Sequence, residues 1–227
     1  MPGRQKGIMD YEPETTRSFA GSAQSEQGGR LPHIEGIDSI SRAVILFSLY
    51  SCAGWLYETI ENVFTFGGVY LRAQLMLPWC PIYGIGGLLI VAALEPLRRK
   101  LAGRIPLFLQ VAAIAIGIYV VATVVELAGS YVCEWIMGYV PWDYSHAWGN
   151  FQGRIAPIYS MRFVVLGLIA LYVLYPAITR LVAAKPHAAR IVAVILLAAL
   201  IGDYALEFAG VWVGVKDGLT IFGINHW

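Results

Sequence analysis

Charge is scarce in this sequence. Only 14% of its residues are Asp, Glu, Lys or Arg, where a soluble domain carries roughly 25%. Sixteen Lys and Arg against fifteen Asp and Glu leave a formal net charge of +1, which excludes the basic face of a nucleic-acid binder. Cysteine is scarce too. Cys52, Cys80 and Cys133 are an odd set with no CxxC pair, so neither a disulfide framework nor a zinc site is expected, and each reads as a free buried thiol. The sequence contains no GxxxxGK[ST] loop, so it brings no phosphate cradle of its own and is not the ATPase of any transport system. Nothing in it calls for a cofactor. Residues 1–40 lack the short apolar core and small-residue cleavage site of a secretory signal. Their Gly, Ser, Gln, Pro and mixed charges read as a disordered cytoplasmic tail, which makes the first apolar segment an uncleaved anchor.

What remains is abundant apolar sequence: 58% of the residues are hydrophobic and the mean hydropathy is +0.62. Five apolar segments stand out, at about Arg42 to Phe66, Cys80 to Leu94, Ile105 to Glu126, Ile155 to Thr179 and Ala188 to Ala209. A helix needs about 20 residues to cross the hydrocarbon core, so the second is short and must borrow its flanks. The fold class predicted is an all-α, polytopic transmembrane bundle of about five spans over residues 41–213, followed by an outer tail at 214–227. Arg98, Arg99, Lys100 and Arg104 lie in one connection, and Arg180, Lys185 and Arg190 in another. The opposite connections hold only Arg72 and Arg154. The positive-inside rule then places the basic loops and the N-terminus in the cytoplasm and the C-terminus outside.

The sequence partly echoes itself. Ala53-Gly54-Trp55-Leu56-Tyr57-Glu58 resembles Ala128-Gly129-Ser130-Tyr131-Val132-Cys133-Glu134, and Pro81-Ile82-Tyr83-Gly84 resembles Pro157-Ile158-Tyr159-Ser160. Glu58 and Glu134 stand 76 residues apart, and so do Pro81 and Pro157. A third fragment, from Glu207 to Trp212, echoes Glu126 to Tyr131. A duplicated two-helix hairpin would produce this shared offset; chance recurrence of Ala-Gly and aromatic residues in membrane helices is the alternative.

Six carboxylates fall in or beside the apolar segments: Glu58 and Glu61 in the first, Glu126 and Glu134 toward the end of the third, and Asp203 and Glu207 in the fifth. A carboxylate at the bilayer centre costs about 2.5–3.5 kcal/mol on insertion scales, so it faces a partner or a cavity. With the orientation above, all six lie in the outer half of the membrane or at its edge. Arg72, Arg154 and Arg162 are on the same side. Glu–Arg pairs that pin helix ends together are one reading. The other starts from the acidic surplus, six against three, because unpaired buried carboxylates are costly and invite proton exchange or a bound cation. The loop from Gly138 to Gly153 is dense in Trp and Tyr, as an interfacial belt requires. Asp143, Ser145, His146 and Asn150 add hydrogen-bonding groups that a belt does not need. Together with Pro78-Trp79-Cys80-Pro81, this loop is expected to cap the carboxylate region.

Four stretches, Gly54-Trp55-Leu56-Tyr57-Glu58, Trp79-Cys80-Pro81-Ile82-Tyr83-Gly84, Trp142-Asp143-Tyr144-Ser145 and Asn150-Phe151-Gln152-Gly153-Arg154-Ile155, together resemble a bacterial family of ABC-transporter permeases, the type IV or CmpB-like family. The resemblance runs from about Gly54 to Arg162 and leaves the N-terminal tail and the last span outside it. It implies a transport protein of the bacterial cytoplasmic membrane, working with a separate ATPase subunit or as a homo-oligomer. The function expected is transport, with Glu58, Glu61, Glu126, Glu134, Asp143, Asn150, Arg154, Arg162, Asp203 and Glu207 forming an outward-facing site for a cation or a protonatable small molecule. Two alternatives stand beside it. One is a membrane enzyme using Cys80 or a carboxylate with His146 and Asp143. The other is a lipid-binding scaffold whose Arg72, Arg154 and Arg162 meet phosphate head groups.

Overall fold

The computed structural model describes residues 32–66 and 77–212. They form α1 (Pro32–Phe66), α2 (Pro81–Leu101), α3 (Leu107–Met137), α4 (Pro157–Ile169), a π-helical turn (Ala170–Leu174), α5 (Tyr175–Ala184) and α6 (Pro186–Trp212). α4, the π turn and α5 run on as one span, Pro157–Ala184, so the described residues hold five helices long and apolar enough to cross a membrane. The all-α bundle expected from hydropathy is what the chain builds. Two compact units divide it, Met1–Ile37 and Asp38–Trp227, and everything below concerns the second. The expected tail at 214–227, residues 1–31 of the expected N-terminal tail, and Arg72 lie outside the described residues. α1 starts at Pro32, ahead of the boundary expected at 41.

Local chemistry explains most helix ends. Pro81 and Pro157 occupy first turns, where the missing N–H costs nothing, each behind an extended residue: Cys80 (φ −122°, ψ 91°) and Ala156 (φ −151°, ψ 146°). These are the two prolines of the sequence echo. α3 runs beyond its expected end at Glu126 to Met137, because Ala128-Gly129-Ser130 keeps the helical bonds that apolar surroundings leave no substitute for. It stops at Gly138, whose left-handed φ of 79° and N–H bond to the Glu134 carbonyl close the helix. The π turn also has a cause. Pro176 has no N–H for the carbonyl four residues back and its ring would collide there. The ladder widens instead, and the Tyr175 N–H reaches the Ala170 carbonyl.

Packing is densest where α2, α3 and the α4–π span meet. Ile114, Ile118 and Leu171 are fully buried there, against Ile90, Leu94 and Val164. The other faces are apolar as well: Ile116 and Val124 on α3, and Ile191, Val194 and Ile195 on α6, all point outward. Such faces suit lipid as the surrounding solvent. Lipid is as apolar as leucine and drives no helix burial, so close approach of small residues holds the helices together. Ser51, Ser130 and Ser160 accordingly sit almost fully buried at helix contacts.

Candidate functional site

Close approach also shapes a cavity. α1 and α2 come together where Gly87 lies under the Tyr50 ring and Gly54 under the Tyr83 ring; a Cβ at either glycine would fall within 2.3 Å of a ring carbon. The two helices therefore touch through glycine–tyrosine contacts. Beside these contacts lies a cavity of about 140 Å³ walled by α1, α2, α3, α4, the π turn and the Gly138–Gly153 loop. Its surface is mostly aromatic and apolar: Tyr50, Tyr83, Phe163, Trp142 and Tyr144 contribute rings, and Ile82, Val125 and Leu166 aliphatic chains. Glu58 from α1 and Glu126 from α3 are its acidic residues among those described. By the rise of a helix, Glu126 lies roughly 28 Å along α3 from Leu107, so the cavity belongs to the membrane half remote from Arg98 and Arg99.

Glu126 is 4% exposed. The Ser160 hydroxyl of α4 donates to it at 3.4 Å and the Tyr144 phenol of the loop also bonds it. Both partners are neutral. Glu58 bonds the Tyr83 hydroxyl, and the Cys80 thiol lies 4.0 Å from its Oε1. The π turn borders the same space: the Tyr50 hydroxyl donates to the Ala170 carbonyl at 3.1 Å, giving a second donor to a carbonyl exposed by the widened ladder.

The remaining acids of the expected site are placed elsewhere. Glu61 pairs with Arg162, and Glu134 with Arg154 at 2.6 Å. Arg154 also donates to Ser130 Oγ at 3.3 Å and lies 4.2 Å over the Tyr131 ring. Neither arginine is among the residues lining the cavity. The ion-pair reading thus describes these four residues, and the acidic-cavity reading is left with Glu58 and Glu126. Asp203 is buried in α6 and accepts the Leu77 N–H at 3.0 Å, tethering the segment before α2. Glu207 lies on α6, and its side chain is outside the described residues.

Asp143 and Asn150 serve the loop itself. Asp143 accepts the Ser145 N–H at 2.9 Å and the Ser145 hydroxyl at 3.0 Å. These two donors hold its carboxyl below the usual carboxylate range. Asn150 donates to the Ser145 and Ala147 carbonyls and accepts the Gly153 N–H. The Trp142 indole donates to the Arg154 carbonyl at 2.8 Å. Self-stapled in this way, the loop presents Trp142 and Tyr144 to the cavity, and Tyr144 stacks on Tyr159 with centroids 3.9 Å apart. His146 takes part by a 2.9 Å contact with the Tyr159 hydroxyl.

Sequence reasoning passed over several of these groups. Of the partners of Glu126, Tyr144 was visible only as a belt aromatic and part of a resemblance stretch, and Ser160 only as part of a recurring fragment. Glu95, 5% exposed in α2, carries a bifurcated contact to Arg98 and Arg99 at 2.6 and 2.7 Å. Its i,i+3 and i,i+4 spacing to those arginines was the available signal.

The arrangement is polar at two carboxylates, apolar elsewhere, and closed by a stapled loop. The profile of a protein family described as "Putative ABC-transporter type IV" matches residues 45–208. The chain belongs to this family. The match takes in the last span as well, which the four-fragment resemblance had left outside. No curated protein and no solved structure matches the chain. Family membership and five membrane-spanning helices make this a membrane transport protein. Among the described residues no group of three or more His, Cys, Asp or Glu is arranged to hold a metal ion.

Proposed function

We propose that this transport protein binds a cation or a protonatable small molecule at Glu58 and Glu126, in the cavity beneath the Gly138–Gly153 loop. The observation that carries the reading is Glu126: a carboxylate almost wholly withdrawn from solvent, held by two neutral hydroxyl groups, on the wall of a cavity it shares with a second carboxylate. Hydroxyl donors hold a carboxylate in place without balancing its charge, and charge in an apolar setting costs several kcal/mol. A proton or a cation in the cavity offsets that cost, and exchange of the one for the other is the elementary act of coupled transport. Arg154 and Arg162 support the reading by being engaged with Glu134 and Glu61. Asp143 and Asn150 contribute by stapling the lid, and Asp203 by holding the approach to α2.

The family description points to an ATPase partner, beside which a proton gradient is the alternative driving force tested below. A sequence without a phosphate-cradling loop leaves ATP hydrolysis to a separate subunit, which would meet the basic connections at Arg98–Arg104 and Lys185. The cavity then opens toward the non-cytoplasmic side of the bacterial cytoplasmic membrane.

Sealed vesicles test this. Uptake or efflux is followed with and without a proton gradient, for the native chain and for Glu58→Gln and Glu126→Gln. Glutamine keeps shape and hydrogen bonding and removes the charge, so both variants should insert normally and lose pH- or cation-dependence. Native dependence in both variants would refute the acidic site.

A further inference from the structure

The wall of the cavity says more about its ligand than the two carboxylates do. A bare alkali ion needs a shell of oxygen ligands, and a divalent ion needs several carboxylate or carbonyl oxygens at fixed distances. This cavity offers the reverse: rings from Tyr50, Tyr83, Trp142, Tyr144 and Phe163 gathered from three helices and the loop, with carboxylates at two points. The Tyr83 and Phe163 rings are already set edge to face with centroids 5.7 Å apart, and Tyr144 is fixed by its stack on Tyr159. Stacked and edge-packed rings are rigid walls. Aromatic walls that enclose an anionic group are the surroundings a substituted ammonium requires: the ring faces attract its diffuse positive charge and the alkyl groups need no hydrogen bonds.

Size narrows the class. The cavity holds about 140 Å³, close to the roughly 150 Å³ of an engineered apolar cavity that takes up benzene. A ligand of five or six heavy atoms fills it.

We infer that the cavity between α1, α2, α3, α4 and the Gly138–Gly153 loop is a binding site for a small alkylammonium ion, with the cationic nitrogen facing Glu126 and the alkyl groups against the rings of Trp142, Tyr144 and Tyr83. This rests on the acidic-cavity reading above and names the class of ligand for it. Glu126 supplies the counter-charge, and its hydroxyl partners Ser160 and Tyr144 orient the carboxylate. Trp142 closes the cavity from the loop side, its ring held by the indole bond to the Arg154 carbonyl.

Calorimetry on the full-length chain in lipid nanodiscs tests the inference, with tetramethylammonium as probe and Na⁺ and tert-butanol as competitors. Tert-butanol has as many heavy atoms as the probe and no charge. The probe should bind, both competitors should fail to displace it, and Glu126→Gln should weaken it about ten-fold or more. Trp142→Leu should weaken it about five-fold, while Trp142→Phe, which keeps a ring face but loses the indole bond, should retain most of the affinity. Thermal unfolding of each variant separates lost binding from lost fold, and the two Trp142 variants supply the comparison if Glu126→Gln fails to fold. Absence of probe binding, equal binding of tert-butanol, displacement by Na⁺ at equal concentration, or equal affinity in Trp142→Leu and Trp142→Phe overturns the inference. If the glutamine variants lose gradient-dependent transport while tetramethylammonium does not bind, the ligand class falls and the acidic site stands. If transport ignores both variants, the acidic site itself falls.

Discussion

Gly87 and Gly86 are neighbours on α2, and exchanging each for alanine should have opposite consequences. A Cβ at Gly87 would lie 2.3 Å from Tyr50 Cδ2, 2.8 Å from Cγ and 2.9 Å from Cε2. Carbon atoms rest at about 3.5–4.0 Å, so the ring must retreat by about 1 Å or more. Tyr50 has little freedom to do so: it is 4% exposed and its hydroxyl is bonded to the Ala170 carbonyl. Overpacking costs about 1–3 kcal/mol, and loss of the hydroxyl bond adds about 0.5–1.5 kcal/mol. Alanine regains at most about 1 kcal/mol of helix propensity. Gly87→Ala should therefore destabilise the protein by about 1–3 kcal/mol. At Gly86 the nearest atom to the added Cβ is Val125 Cγ1 at 3.6 Å, an ordinary contact, so Gly86→Ala should be neutral or stabilising. Thermal or denaturant unfolding in detergent micelles measures both. A third variant, Gly87→Ala with Tyr50→Ala, removes the obstructing ring, and the glycine substitution should cost nothing in that background. Equal stability of the Gly86 and Gly87 variants, or a Gly87 penalty that persists without the Tyr50 ring, would show that the helices do not meet through this contact.

Other consequences are open to measurement. Arg154→Gln should cost about 2–4 kcal/mol, because the guanidinium is largely buried and loses charged hydrogen bonds and its ring contact together. Glu134→Gln should cost at most about 1 kcal/mol, since that carboxylate is half-exposed; the reverse order in unfolding experiments would contradict the geometry. The Asp143 carboxyl is held below its unfolded value by Ser145, so its contribution to the loop is complete above about pH 4, fades as pH falls from there and is gone below the folded value. Hydrogen-exchange protection of the Ser145 amide, taken relative to its intrinsic exchange rate at each pH, should show that loss, and Ser145→Ala should move it to higher pH; protection that does not change with pH in the native chain would refute the stapling. Accessibility tags after Lys100 and after Lys185 should report cytoplasm and a tag at Trp148 the opposite side; a cytoplasmic Trp148 would invert the orientation used in the proposal.

Much of the architecture was legible before any coordinates. Apolar runs of helical length separated by clustered charge admit only membrane helices, because backbone polar groups in lipid must be satisfied within the segment. Proline in a first turn marked the starts of α2 and α4. Observed helix contacts are local: α1 meets α2 through residues 50–54 and 83–87, and α3 meets α4 and the turn before it through residues 126–134 and 154–160. The third apolar run ends at about Glu126, whereas α3 continues to Met137 through Ala128-Gly129-Ser130, because in apolar surroundings nothing competes with the helical bond.

Which acid meets which base was beyond the sequence. Glu58 and Glu61 are one turn apart on α1, yet one lines the cavity and the other pairs with Arg162. Glu126 and Glu134 divide in the same manner. Composition and periodicity place a residue along its own helix axis to within a turn, so Glu58 and Glu61 fall toward one end of α1 and Glu126 and Glu134 toward one end of α3. The partner of each depends on how the helices are rotated and how closely they approach. Those quantities come from contacts such as Gly87 with Tyr50, where a missing Cβ on one helix admits a ring from another. Position along each helix was a property of the sequence; pairing, and with it the cavity, was decided by tertiary packing, because an ion pair forms or fails over a few ångströms that no single helix specifies.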